Sequence, residues 1–247
     1  MIDSSRCGTV ALPMDEQEAQ FVPDLQRDLP LASTITQRVQ EKLREEILAG
    51  RMPPGSRIKI ADLAARYGLS HMPVREALQA LQGEGLVTLS PNRGASVRAV
   101  DATLIRNLFG IREALEGHLA AEAAASITPA TIATLRKIHE DYDAATREGE
   151  VPAMVRLNKA LHRVVHCAAG NEEAVRLLDQ HAALIGALRI GLGYAPGRPD
   201  AIRGEHLALI EALARGDGET ARTVQAAHVR AARDDMLALL ARQQQAA

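Results

Sequence analysis

The sequence predicts a mainly α-helical chain: an N-terminal winged helix-turn-helix with a small β-hairpin, followed by an all-α six-helix bundle. Three observations predict it. Aromatic residues are 2% of the chain with no Trp, while Ala, Leu and Arg recur throughout, a composition that suits packed helices better than sandwiches or barrels. Strand signals are confined to residues before Asp101, and after it one helical period follows another. Charge is unevenly spread. The net charge is -2, but residues 1 to 30 carry -4, residues 31 to 100 carry +4 and residues 101 to 247 carry -2. The overall balance therefore does not speak against a nucleic-acid partner, because the basic segment coincides with the winged unit.

Residues 1 to 30, with Pro13, Pro23 and Pro30 and no sustained period, read as a disordered tail. Residues 31 to 100 form the expected DNA-binding domain. Ser33 or Thr34 caps a first helix with the apolar stripe Ile35, Val39, Leu43, Ile47 and Leu48, which stops at Gly50. Arg57 to Ile60 is short enough for a strand, Ala61 to Tyr67 is a helix ended by Gly68, and a second helix begins at Ser70 with Pro73 in its first turn, where a missing N–H does least harm. Leu86 to Leu89, the turn Pro91-Asn92-Arg93-Gly94 and Ala95 to Val100 complete a basic hairpin. Residues 101 to 247 divide into helices at 102–126, 129–148, 152–169, 172–192, 199–215 and 218–242, jointed by segments such as Thr128-Pro129, Gly170-Asn171 and Gly216-Asp217-Gly218.

A helix-turn-helix offers the first residues of its second helix to base edges in the major groove. That assigns base reading to Ser70, His71, Met72 and Arg75, the last being able to fork onto guanine O6 and N7. Arg93 and Gly94 at the hairpin tip suit close approach to a neighbouring groove, and Lys59 and Arg66 add phosphate contacts. The alternative is a helical hairpin with solvated arginines. Asp62-Leu63-Ala64-Ala65-Arg66-Tyr67-Gly68-Leu69-Ser70-His71-Met72-Pro73-Val74-Arg75-Glu76-Ala77-Leu78, continued by Leu81, Glu84-Gly85-Leu86-Val87 and Arg93-Gly94-Ala95-Ser96-Val97, resembles the DNA-binding domain of the GntR superfamily of bacterial regulators. It departs from the family in having His71 where Arg is usual and Ala61 where a charge is frequent, so a different operator sequence is expected.

Seven of the eight histidines lie after Asp101. Asn158 and His162 are four apart and share a helix face, while His206 and His228 lie on the fifth and sixth bundle helices. Three imidazoles and an amide oxygen suit a divalent metal with positions left open; His139 and His181 read as ordinary surface or core residues. The series Asn158-Lys159-Ala160-Leu161-His162, Gly170-Asn171, Glu205-His206-Leu207, Gly216-Asp217, Ala221 and His228-Val229 is similar to the FCD ligand-binding domain of FadR-type GntR regulators. The resemblance implies that Asn158, His162, His206 and His228 hold a divalent ion of the Zn, Ni or Mn type, with Asn158 replacing the commoner Asp. His166 is either a substitute ligand or a mere helix neighbour. Arg112 is either a surface partner of Glu116 or a clamp on an effector carboxylate. Gly191 to Gly197 has the wrong spacing for a nucleotide loop and reads as a linker.

Together these features imply a ligand-responsive transcriptional regulator, more often a repressor in such a family. Its expected partners are a palindromic double-stranded operator gripped by a homodimer and a small organic-acid effector. The alternative is a metal-dependent enzyme with an accessory DNA-binding domain, for which a general base is missing. No apolar run reaches the roughly 18 residues of a membrane span, no signal peptide is recognisable, and Cys7 and Cys167 form no CxxC pair or regular framework. A cytoplasmic protein is the expectation.

Overall fold

The computed structural model describes residues 34–48, 51–90 and 94–246. The expected tail, the Gly50 stop, Cys7 as one of the two cysteines, and Arg93 with its turn lie outside the described residues.

The N-terminal unit is built as its local chemistry requires. Helix α1 (Ile35–Leu48) opens on a reciprocal cap: the Gln37 N–H donates to Thr34 Oγ1 at 3.2 Å, and the Thr34 N–H to Gln37 Oε1 at 2.8 Å. Strand β1 (Arg57–Ile58) leads into α2 (Ile60–Tyr67), which Gly68 ends with a left-handed φ of 64°. Helix α3 (His71–Gly83) buries Val74, Ala77, Leu78 and Leu81 against α1 and α2. Strands β2 (Val87–Ser90) and β3 (Gly94–Val97) are the wing, and β1 adds to its far side in the antiparallel order β1-β3-β2. The register opposes Val87 to Val97 and Leu89 to Ala95, and Val87, Ala95 and Val97 are buried. Glu84, at the end of α3, accepts from Gln40 Nε2 at 2.6 Å and Arg44 Nε at 2.7 Å, locking α1 to the start of the wing.

The linker is short. Asp101 caps α4 (Ala102–Ser126) by accepting from the Leu104 N–H at 2.7 Å. The bundle continues through α5 (Pro129–Glu148), α6 (Val151–Ala168), α7 (Glu172–Asp179), α8 (Ala182–Leu192), α9 (Arg198–Ala214) and α10 (Gly218–Ala246), with α10 lying along α4. The predicted joints hold: Thr128 accepts from the Thr131 N–H, Asn171 from the Ala174 N–H and Asp217 from the Thr220 N–H. One predicted element differs. The span 172–192 is two helices, because at His181 the backbone leaves helical geometry (φ -113°, ψ 2°). Neither Gly nor Pro marks that break, so nothing local announces it.

The main bundle core gathers Leu135, Tyr142, Leu161, Leu209 and Ile210, while Ile105, Phe109, Val229 and Met236 form a smaller cluster between α4 and α10. Among the described residues no helix is long and apolar enough to cross a membrane.

Candidate functional site

The first site is the exposed end of α3. Ser70, His71, Met72 and Arg75 all face solvent there, with Met72 62% exposed, a costly display for an apolar side chain that nothing among the described residues covers. Among the described residues Arg75 forms no ion pair, so its whole fork is available. Lys59 is exposed and 3.8 Å from Asp62. Arg66 is half exposed, and its two terminal nitrogens bond Glu46, itself buried, at 3.0 and 2.7 Å. That pair fastens α2 to α1. Gly94 opens β3 with a φ of 84°, a conformation that favours glycine.

The second site lies inside the bundle. Asn158 and His162 come from α6, His206 from α9 and His228 from α10, and the fold brings all four together. His162 Nε2 is 3.0 Å from His228 Nε2, His206 Nε2 is 3.0 Å from Asn158 Oδ1, and the three imidazoles offer nitrogens within 4.8 Å of one another. All three rings are buried. Burial, and then the neighbouring imidazoles, hold His162 and His206 well below the usual histidine range. His162 and His206 are therefore neutral near pH 7, the state in which a ring nitrogen has a lone pair for a metal.

Such a crowd of neutral rings predicts a pH effect. In metal-stripped protein these two histidines stay neutral when folded but protonate near 6.5 when unfolded. Their stabilising contribution is full above that pH and declines as pH falls below it, by up to about 1.4 kcal/mol per pH unit for each ring. Thermal melts of the stripped protein from pH 7.5 to 5.5 should show a falling midpoint; a flat profile would contradict neutral burial.

Glu205 has a definite task that the sequence did not reveal. Its side chain accepts from His228 Nδ1 at 2.7 Å, and Arg198 grips the same carboxylate at 2.5 and 2.9 Å. A proton fixed on Nδ1 leaves the His228 Nε2 lone pair facing the other rings. Although burial raises the Glu205 carboxyl, its bonds to His228 and Arg198 bring it below its ordinary value. Glu205→Gln keeps an acceptor but removes the charge, so metal affinity should fall about 10–100-fold in a chelator competition; unchanged affinity would remove Glu205 from this role.

Beside the histidines opens a pocket with about 910 Å³ of empty space, its mouth included. Asn158, His162 and His228 line one side of it, and the cationic side chains of Arg112, Lys159, Arg163 and Arg189 also reach it. Arg112 lines the pocket and its Nε donates to Glu116 at 2.6 Å, Glu116 being fully buried. The other Glu116 oxygen accepts from Gln225 Nε2 at 2.7 Å and lies 3.5 Å from His166 Nε2. Burial pushes the Glu116 carboxyl up, but Arg112 and His166 outweigh it and hold it well below the usual range. His166 groups with Glu116 and His162 in a second set of donor atoms within 4.8 Å of one another, which shares His162 with the three-histidine group. Arg189 is buried against Asp235 and also donates to the Gly193 and Ala232 carbonyls at 3.1 Å. The Ala195 N–H donates to Asp235 at 3.2 Å, so the Gly191–Gly197 segment is pinned to α10. No local pattern marks Asp235 or Gln225 on α10, because their partners Arg189 and Glu116 stand 46 and 109 positions earlier.

The description "Bacterial regulatory proteins, gntR family" matches residues 35–97, and "FCD domain" matches residues 107–231, just over half of the chain. The chain belongs to the gntR family. A Streptomyces ambofaciens protein named as an HTH-type transcriptional regulator in an unstable DNA locus is 30% identical over 200 residues, covering 79% of this chain and 82% of the relative. The HTH-type transcriptional repressor RspR of Escherichia coli strain K12 is 25% identical, with 79% and 86% covered. Among solved structures, E. coli McbR/YncC shares the fold with a TM-score of 0.66 at 22% identity, covering 86% of this chain and 99% of that one. The GntR chain described here is a DNA-binding transcriptional regulator with a helical effector-binding domain.

Proposed function

We propose that this GntR regulator is a cytoplasmic homodimer that represses transcription from a palindromic operator and is controlled by a small organic acid bound beside a divalent metal. Residues 31–100 act as the reading unit and residues 101–247 as the sensor. The observation that carries the reading is the convergence of Asn158, His162, His206 and His228 inside the bundle, with Asn158, His162 and His228 lining a pocket that Arg112 also reaches. Soft-to-borderline nitrogen donors with one neutral oxygen fit an ion of the Zn, Ni or Mn type. Once bound, the ion supplies a positive charge with open coordination positions for an effector oxygen. Arg112 uses its Nε on Glu116 and has its terminal nitrogens left to meet a carboxylate. Repression is supported by the name of RspR among the relatives.

On the DNA side, Ser70, His71, Met72 and Arg75 read bases, while Lys59, Arg66, Arg93 and Gly94 serve the backbone and the neighbouring groove. Arg66 also holds Glu46. Arg75→Ala should cost about 1–3 kcal/mol at one base pair of each half-site and relax selectivity there. Binding to operators substituted at every position checks this; a uniform loss across positions would reassign Arg75 to phosphate.

An enzymatic reading finds no support in these two acids. Glu205 is held by His228 and Arg198, and Glu116 by Arg112 and Gln225, so neither is a free general base. The test of the sensor reading is metal analysis of the purified protein, followed by thermal shifts with a panel of hydroxy acids and dicarboxylic acids before and after chelation. Shifts that vanish on chelation support it. Metal-free protein with no response to any acid, even after reloading with Zn, Ni or Mn, would overturn it.

A further inference from the structure

The break between α7 and α8 stands where the two halves of the molecule meet. His181, in the break, has its ring over the turn joining α3 to β2. A Cβ built on Gly85 of that turn would lie 2.8 Å from His181 Nδ1 and 3.1 Å from an Arg98 terminal nitrogen. Gly85 also has a φ of 73°, so geometry and space both require glycine there. Burial and the neighbouring Arg98 cation lower the His181 pKa, and a neutral ring can rest beside that cation without repulsion.

Directly after the break, α8 has two occupied faces. Leu184 is 5% exposed and is part of the apolar core of the DNA-binding unit, with Ala183 and Leu188 packed against it. Ala182, Ile185, Gly186 and Arg189 line the effector pocket, as do Leu178 and Asp179 at the end of α7. A helix of 11 residues is a rigid body on this scale. Its pocket face cannot shift without carrying its other face, because close-packed cores do not absorb displacement continuously.

We propose that residues 178–189 form the coupling element of this regulator, and that His181 on Gly85 and Leu184 in the head's core are the two contacts through which the pocket and α3 sense one another. This rests on the pocket being the effector site. Coupling is reciprocal, so operator DNA must act on the pocket wall as an effector acts on α3, with couplings of this kind typically worth 5–150-fold in affinity.

Reciprocity permits a test without a known effector. Hydrogen exchange of the full-length chain is followed by mass spectrometry with and without an operator fragment selected from genomic DNA. Operator should slow exchange in residues 71–83 by contact and change it at least twofold in residues 178–192, which carry no proposed DNA contact. In His181→Ala the response at 71–83 should remain and that at 178–192 should fall away. Protection of 71–83 with 178–192 unchanged in the wild type overturns the coupling, and so does a full response in His181→Ala. The wild-type measurement decides the matter even where the variant does not fold. Metal analysis and acid-induced melting shifts report on the pocket separately: a response at 178–192 in a protein that binds neither metal nor acid keeps the coupling and discards the effector reading.

Discussion

Replacing His206 with Ala should lower metal affinity by at least about 100-fold, the upper end for changes one shell further out, and abolish the response to organic acids. Operator affinity should stay within a few-fold of wild type. His206 sits between its partners: its Nε2 faces Asn158 Oδ1 at 3.0 Å, and its ring centroid is 5.3 Å from that of His162 and 5.5 Å from that of His228. Removing it takes a nitrogen from the centre and leaves Asn158 as the sole donor on that side. The ring also packs edge-on against Tyr142 at 5.0 Å and is nearly inaccessible, so the variant loses packing as well, and its melting temperature must be followed beside its metal content. The reading residues of α3 belong to another unit, which is why DNA affinity is spared. Normal metal content combined with lost operator binding would reverse the assignment.

Asp235→Ala should destabilise the protein by about 3–5 kcal/mol, the usual result of leaving one member of a buried ion pair alone. Arg189 and Asp235 are both buried and face one another from α8 and α10. Without the carboxylate, the guanidinium retains the carbonyls of Gly193 and Ala232 and the Tyr194 ring 4.6 Å away, and the Ala195 N–H loses its acceptor. For a chain of this size the melting midpoint should drop by about 6–20 °C. Replacing both partners with apolar residues, Arg189→Met with Asp235→Leu, should recover much of the loss, because desolvation then falls on neither charge. A drop below about 1 kcal/mol in the single variant would show that water or another group compensates Arg189.

The legible parts of this molecule were those written in local chemistry. Thr34, Gly68 after Tyr67, Thr128 before Pro129 and Asn171 all act at helix ends within a few residues of where they stand, and the structure places each at such an end. Asn158 and His162 were legible because a four-residue spacing on one helix fixes a shared face. Longer range was harder. His206 and His228 could be assigned to the site only by similarity to a known family, since nothing in their spacing dictates that α9 and α10 turn them inward. Glu205 illustrates the limit well: adjacency to His206 suggests that it points away, and it does leave that ring, but only to reach His228 on another helix. The break at His181 was silent for a related reason. The residues it meets there, Gly85 and Arg98, stand more than eighty positions earlier, and no window of neighbouring residues contains them.

The apolar core of the reading unit also has a meaning for descent and engineering. Leu108 of α4 and Leu184 of α8 are counted among its buried members although they belong to the sensor half. A head excised at residue 100 would therefore have an unfinished floor, and a head transplanted from a relative would arrive with a floor cut to different lodgers. Hybrid regulators that graft new DNA specificity onto this sensor should succeed when the exchange is confined to the exposed side chains of α3 and the wing. Whole-head exchanges should require matching changes at positions 108, 181 and 184, so the family's apparent modularity ends at the surface these residues share.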